Sequence, residues 1–223
     1  MVAKYFFEWQ KGSINIIGRA IQLFSIGLLF QIFGQNAFSF YISILKVSVP
    51  YPSIADVGFF GSIVFYICGL LLLGSVSDIG LTLKSFKNKI EIIILPIALF
   101  VISYFFFLHG YHFDWNNPFT ILLDFAYLLG ETLYVSLALI ILFRAQNLGG
   151  EPMKWPLIFF AMFAQYAADF NFLYQANRGI WINDGYGDLL YMTAYFLIGL
   201  SVLSFGIIFK NVIMEKLITT GKI

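Results

Sequence analysis

The sequence predicts an all-α, polytopic membrane bundle of about six transmembrane helices, with a spacing that suggests three repeated two-helix hairpins. Three observations predict it. The first is composition: 60% of the 223 residues are hydrophobic and 11% charged, with a mean hydropathy of +0.85. Ordinary soluble domains hold about 45–50% apolar and about 25% charged residues. A single core of this size could not hide so much apolar surface, whereas a bilayer solvates the outer faces of helices. The second is six apolar stretches of roughly 20 residues each, enough at ~1.5 Å per residue to cross a hydrocarbon layer of ~30 Å. The third is the distribution of basic residues between alternate connections.

The six stretches are 20–44, 57–77, 91–108, 119–143, 155–174 and 189–209. Apolar character around the first runs from Ile14 to Ile44, so that helix is long enough to tilt or to begin earlier. The connections carry turn chemistry: Pro50-Tyr51-Pro52-Ser53, Asn116-Asn117-Pro118, Gly149-Gly150-Glu151-Pro152 and Asp184-Gly185-Tyr186-Gly187. This divides the chain into a cytoplasmic segment 1–19, a six-helix domain 20–209 and a cytoplasmic tail 210–223. Lys4 and Lys11 precede a long apolar stretch with no small-residue cleavage site, which reads as an uncleaved first span.

Orientation follows from Lys and Arg. One side would hold Lys4, Lys11, Arg19, Lys84, Lys87, Lys89, Arg144, Lys154, Lys210, Lys216 and Lys222; the other only Lys46 and Arg178. That asymmetry predicts a cell-membrane protein, bacterial or archaeal, with both termini cytoplasmic. The aspartates lean the other way. Asp56, Asp114, Asp124, Asp169, Asp184 and Asp188 all fall in the outer half, among Tyr51, Tyr111, Trp115, Tyr174, Trp181 and Tyr186, which read as an interfacial aromatic belt. The net charge of +1 offers no basis for a nucleic-acid partner. Cys68 is the single cysteine and reads as a packing residue.

Each even-numbered span opens alike: Asp56-Val57-Gly58-Phe59, Asp124-Phe125-Ala126-Tyr127 and Asp188-Leu189-Leu190-Tyr191. The separations of 68 and 64 residues match one hairpin length, hence the suggested threefold repeat.

Glu131 is the most informative residue. It lies near the middle of the fourth span, where an ionised side chain costs about 2.5–3.5 kcal/mol on insertion scales. Asp124, Tyr127, Glu131 and Tyr134 share one helix face by their i, i+3, i+7, i+10 spacing. No Lys or Arg stands at that depth. Two readings are open: a binding-site or proton-linked acid, or a neutral acid that joins helices by hydrogen bonds. Asp169 and Gln165, one turn apart in the fifth span, and Gln31, Gln35 and Asn36 in the first, could line the same outward pocket; the amides alternatively bridge helices. Asp56 completes a capping box, Ser53-Ile54-Ala55-Asp56, and Asp188 reads as a plain N-cap, although either could face a ligand. His109, His112 and Asp114 form an H-x-x-H-x-D run, a weak metal candidate without a third partner nearby. Neither a phosphate loop nor a nucleophile elbow nor H-E-x-x-H occurs, and no cofactor is indicated.

Tyr51-Pro52-Ser53-Ile54-Ala55-Asp56 resembles the Y-P-S-x-A-D motif of a multi-pass membrane sensor region found in front of bacterial diguanylate cyclase and histidine kinase domains. Tyr127-Leu128-Leu129-Gly130-Glu131 is similar to its Y-P-x-G-D element, with Leu for Pro and Glu for Asp. Ala168-Asp169 and Gly185-Tyr186-Gly187-Asp188 are similar to an A-D…D pattern. The resemblance covers roughly residues 20–209 and implies a sensing or binding role in the membrane. Only Lys210–Ile223 follows the last span, so the resemblance leads one to expect a sensor-like region standing alone, without the cyclase or kinase domain. The expectation is therefore a non-enzymatic, sensor-like or accessory protein that binds a small ligand, or a membrane or cytoplasmic signalling partner, through an outward acidic and aromatic pocket. A small transporter or channel subunit coupled through Glu131 is the alternative, and an intramembrane lipid-modifying enzyme is a third.

Overall fold

The computed structural model describes residues 13–75, 86–108, 111, 113–145, 154–182 and 185–219. Six helices result. Helix α1 spans Ser13–Ser39 and continues as a wider π-helical turn, Phe40–Leu45; α2 spans Ile54–Gly74. Helix α3 spans Phe86–Ser103, extended by a second π turn, Tyr104–Leu108; α4 is Pro118–Ala145, α5 Lys154–Asn177 and α6 Tyr186–Thr219. Five of them are long and apolar enough to cross a membrane, and α3 contains a shorter apolar helix, Ile90–Phe106. With its π turn, α3 reaches roughly 30 Å, the thickness of a hydrocarbon core. The chain is a multi-pass membrane protein.

Local chemistry explains where the helices start. At α2 the capping box forms: the Ser53 backbone N–H donates to Asp56 Oδ2 at 2.6 Å, and Ser53 Oγ accepts from the Ala55 N–H at 3.2 Å. Pro118 begins α4, where its missing N–H costs nothing, and the Asn117 carbonyl accepts from the Thr120 N–H just behind it. The turn before it is organised by Asp114, whose carboxylate accepts from the Asn116 backbone and from both asparagine side chains at 2.7–3.1 Å. Hydrogen bonding from Asn117 holds the Asp114 carboxyl below its ordinary range. Helix α6 begins at Tyr186, with the Asp188 N–H bonded to the Gly185 carbonyl. Asp188 is thus the third helical residue, favoured there by the helix dipole, rather than the N-cap that its sequence suggests. Helix α5 ends in a Schellman turn: Gly179 adopts a left-handed φ of 64° and the Ile180 N–H reaches back to the Gln175 carbonyl at 3.0 Å.

Consecutive helices pack as hairpins, α1 with α2, α3 with α4 and α5 with α6. Helix α2 also meets α4, α4 meets α5, and α6 returns to α1. Five helices therefore close a ring in the order α1–α2–α4–α5–α6, and α3 lies outside it against α4. The tightest joint is α1 on α2. A Cβ added to Gly58 would come within 2.4–2.6 Å of the Gly34 and Phe30 backbones, so only glycine permits this approach. Tyr66, Leu70, Tyr134, Leu137, Ile141, Met162 and Ile198 fill the centre. Cys68 faces out of the bundle, not into its packing.

Candidate functional site

The starts of α2, α4 and α6 lie at one end of the bundle, and the aspartates gather there. Glu131 sits deeper, on α4, and is almost fully enclosed at 1% exposure. Its carboxyl group faces that of Asp169 on α5, near enough for the two to share a proton. A bond between two carboxyl groups requires a proton between them, because carboxylate oxygens only accept. Asp169 also accepts from Gln165 Nε2 and from the Tyr191 hydroxyl of α6, both at 2.9 Å. Tyr195, one turn further along α6, accepts from Gln31 Nε2 of α1 at 3.0 Å. Gln31 Oε1 in turn accepts from Ser62 of α2 at 2.5 Å. Finally Tyr127 of α4 donates to Asp56 of α2 at 2.9 Å.

These bonds make a circuit. Each of the five neighbouring helix pairs in the ring is bridged by one of them: α1–α2 by Gln31 and Ser62, α2–α4 by Asp56 and Tyr127, α4–α5 by Glu131 and Asp169, α5–α6 by Asp169 and Tyr191, α6–α1 by Tyr195 and Gln31. In a bilayer such bonds act as glue, because an unpaired polar group has no water to turn to. The circuit is nevertheless incompletely satisfied. Among the described residues Glu131 Oε2, Gln165 Oε1 and the hydroxyls of Tyr66 and Tyr134 find no hydrogen-bond partner, although they are buried. Asp56, Tyr127, Asp169, Tyr191 and Tyr195 are partly accessible, whereas Glu131 is enclosed.

A second layer covers the end of the bundle. Asp124, 8% exposed, accepts from Tyr51 at 2.6 Å and from Tyr111 at 2.5 Å. Tyr51 comes from the α1–α2 connection, Tyr111 from the α3–α4 connection. Burial first, and then the bond to Asp124, raises the ionisation of both phenols above the ordinary tyrosine value. The bundle's other polar tie at this side joins α3 to α5, through the Ser103 and Tyr166 hydroxyls. At the opposite end Arg144 of α4 and Glu91 of α3 form an ion pair at 2.6 Å.

The structure thus brings together Glu131, Asp169, Gln165, Asp56 and Tyr127, with Asp124 above them. Asp188 is close enough to Tyr195 to interact electrostatically. Gln35 is half-buried and makes no side-chain hydrogen bond among the described residues; its neighbour one turn back, Gln31, joins the circuit instead. Tyr51 and Tyr111, which look like belt residues, bind an acid. Tyr191 and Tyr195 had a usable signal in their i, i+4 spacing, which puts two hydroxyls on one face of α6. His109 and His112 lie outside the described residues. Among the described residues no cluster of His, Cys, Asp and Glu suits a metal ion, and the Asp114 oxygens are engaged in their own turn.

No family model, no curated protein and no solved structure matches this chain.

Proposed function

We propose that the chain is a sensor-like or accessory membrane protein that holds a small cationic or hydroxyl-rich ligand at the Glu131–Asp169 pair. The observation that carries this reading is the surplus, among the described residues, of unpaired polar atoms around that pair: Glu131 Oε2, Gln165 Oε1, Tyr66 Oη and Tyr134 Oη. A buried polar atom left unpaired costs about 1–3 kcal/mol, and a donor-bearing ligand would relieve that cost at several atoms together. Lysines and arginines cluster toward the helix ends, so no resident cation stands at this depth. The resemblance lends support. Its three motif elements, Tyr51–Asp56, Tyr127–Glu131 and Ala168–Asp169, are far apart in sequence and meet at this site. By the positive-inside rule the acidic end faces outward and both termini are cytoplasmic. Output then passes to a partner in the membrane or the cytoplasm.

Thermal-shift measurements on the purified chain, across a panel of polyamines, simple amines and lipids, test the reading. A stabilising ligand is expected, and its shift should vanish when Glu131→Gln, Asp124→Asn and Asp169→Asn are combined. An unchanged shift in that variant would sink the proposal.

The facing carboxyl groups favour one second reading, in which the shared proton is itself the cargo or the coupling ion of a small transporter or channel subunit. Proteoliposome flux that disappears with Glu131→Gln would favour it. Absence of flux under any proton or cation gradient would return the weight to ligand binding.

A further inference from the structure

Away from the circuit, the outward side of α5 carries an open groove of about 450 Å³. That volume is within the roughly 300–1,000 Å³ typical of small-molecule sites. Phe163, Tyr166, Phe170, Asn171 and Tyr174 line it from α5, and Tyr186 from the start of α6. Ala167, the smallest lining residue, lies midway along it. All the α5 residues fall at i, i+3, i+4, i+7, i+8 and i+11, so the groove runs along the helix axis rather than across it.

The chemistry changes in order along that line. At the end of α5 the Arg178 guanidinium lies 3.9 Å from the centre of the Tyr174 ring. The side chain is exposed, and no acidic partner for it is found among the described residues. Its position is set by the Schellman turn at Gly179, which closes the helix directly beneath it. About two turns deeper, roughly 10 Å along the axis, the Asn171 amide nitrogen is buried without an acceptor. Tyr174 and Tyr186 line the groove on the Arg178 side of Asn171, and beyond it the lining runs through Phe170, Ala167 and Tyr166 to the exposed Phe163. A cation at the interface, an amide donor below it and an apolar trough beneath reproduce the polarity of one lipid molecule: phosphate, ester carbonyl, acyl chain.

We propose that this groove binds a single anionic phospholipid, its phosphate on Arg178, an ester carbonyl on Asn171 and one acyl chain along Ala167 and Phe163. With no acidic partner among the described residues, Arg178 can meet a phosphate with charge-assisted hydrogen bonds. An anionic head group is favoured over a zwitterionic one because it brings no cation of its own to the guanidinium. This site is independent of the ligand proposed at Glu131.

Native mass spectrometry of the full chain in detergent tests it, with phosphatidylglycerol, phosphatidylcholine and glycerol phosphate as probes. One phosphatidylglycerol is expected to bind about fivefold more tightly than phosphatidylcholine, the effect of one basic residue at a membrane surface. Arg178→Gln should abolish that preference. Ala167→Trp should fill the trough and displace both lipids. Arg178→Gln alters a surface side chain and so remains informative whatever Ala167→Trp does to folding. Equal binding of the two lipids to the native chain would overturn the proposal, as would phosphatidylglycerol binding unaffected by Arg178→Gln. Competition by glycerol phosphate as effective as by whole lipid would overturn the acyl-chain half.

Discussion

A single carboxylate, that of Asp124, ties two connections to the bundle through Tyr51 and Tyr111. Both phenols ionise above the ordinary tyrosine value in the folded chain, through burial and then through that acid. The sign of the linkage follows. A group whose folded value is raised contributes stability that is complete below its unfolded value of about 10 and is lost as pH rises through the folded value. The end of the bundle is therefore expected to loosen on the alkaline side. Phenolate absorbance near 295 nm, compared between the native chain and Tyr51→Phe or Tyr111→Phe, should show these two residues titrating above the ordinary tyrosine value. In Asp124→Asn their titration should move back toward pH ~10; an unchanged titration would remove Asp124 as a cause. The role of these tyrosines was not legible in the sequence, because an aromatic residue near an interface already has a sufficient explanation. The Asp124–Tyr134 stripe was legible, since helical periodicity reports a face. It does not report which helix that face meets, so the pairing of Glu131 with Asp169 was hidden.

Among the elements, the α1–α2 hairpin shows how a backbone approach selects side chains. Gly34 and Gly58 let the two helices touch, and that crossing brings Gln31 opposite Ser62 while Gln35 makes no side-chain hydrogen bond among the described residues. Sequence alone cannot choose between two glutamines four residues apart; the packing of the glycines chooses. Gly58→Leu must push α1 and α2 apart and is expected to cost about 3 kcal/mol or more, since overpacking a close joint typically costs 1–3 kcal/mol and the Gln31 bonds would be lost as well. Its melting temperature in detergent, beside that of Gly206→Leu at a glycine with open space around it, isolates the effect. Near-equal melting temperatures for the two would contradict it. By contrast, the start of α2 was read correctly from Ser53 and Asp56, because a capping box is written in four consecutive residues and needs no partner from elsewhere.

At the scale of the whole molecule, six helices were legible because hydropathy and helix length are properties of single segments. The ring order, with α3 outside it, was not, because it depends on which faces meet. The closed circuit makes a prediction that separate contacts do not. Ser62→Ala removes the α1–α2 bridge and Tyr127→Phe the α2–α4 bridge. If both belong to one network, their double-mutant cycle in thermal or chemical unfolding should show coupling of about 0.5 kcal/mol or more, whereas independent sites add within about 0.3–0.5 kcal/mol. Strict additivity would reduce the circuit to five unrelated ties. A loop has a property that a row of contacts lacks. Atoms with spare hydrogen-bonding capacity, Glu131 Oε2 and Gln165 Oε1, stand beside the contacts that seal α4 to α5 to α6. A ligand of the kind proposed beside Glu131 would engage the residue that closes the α4–α5 seam, and any shift there would pull on both neighbouring joints of the hoop.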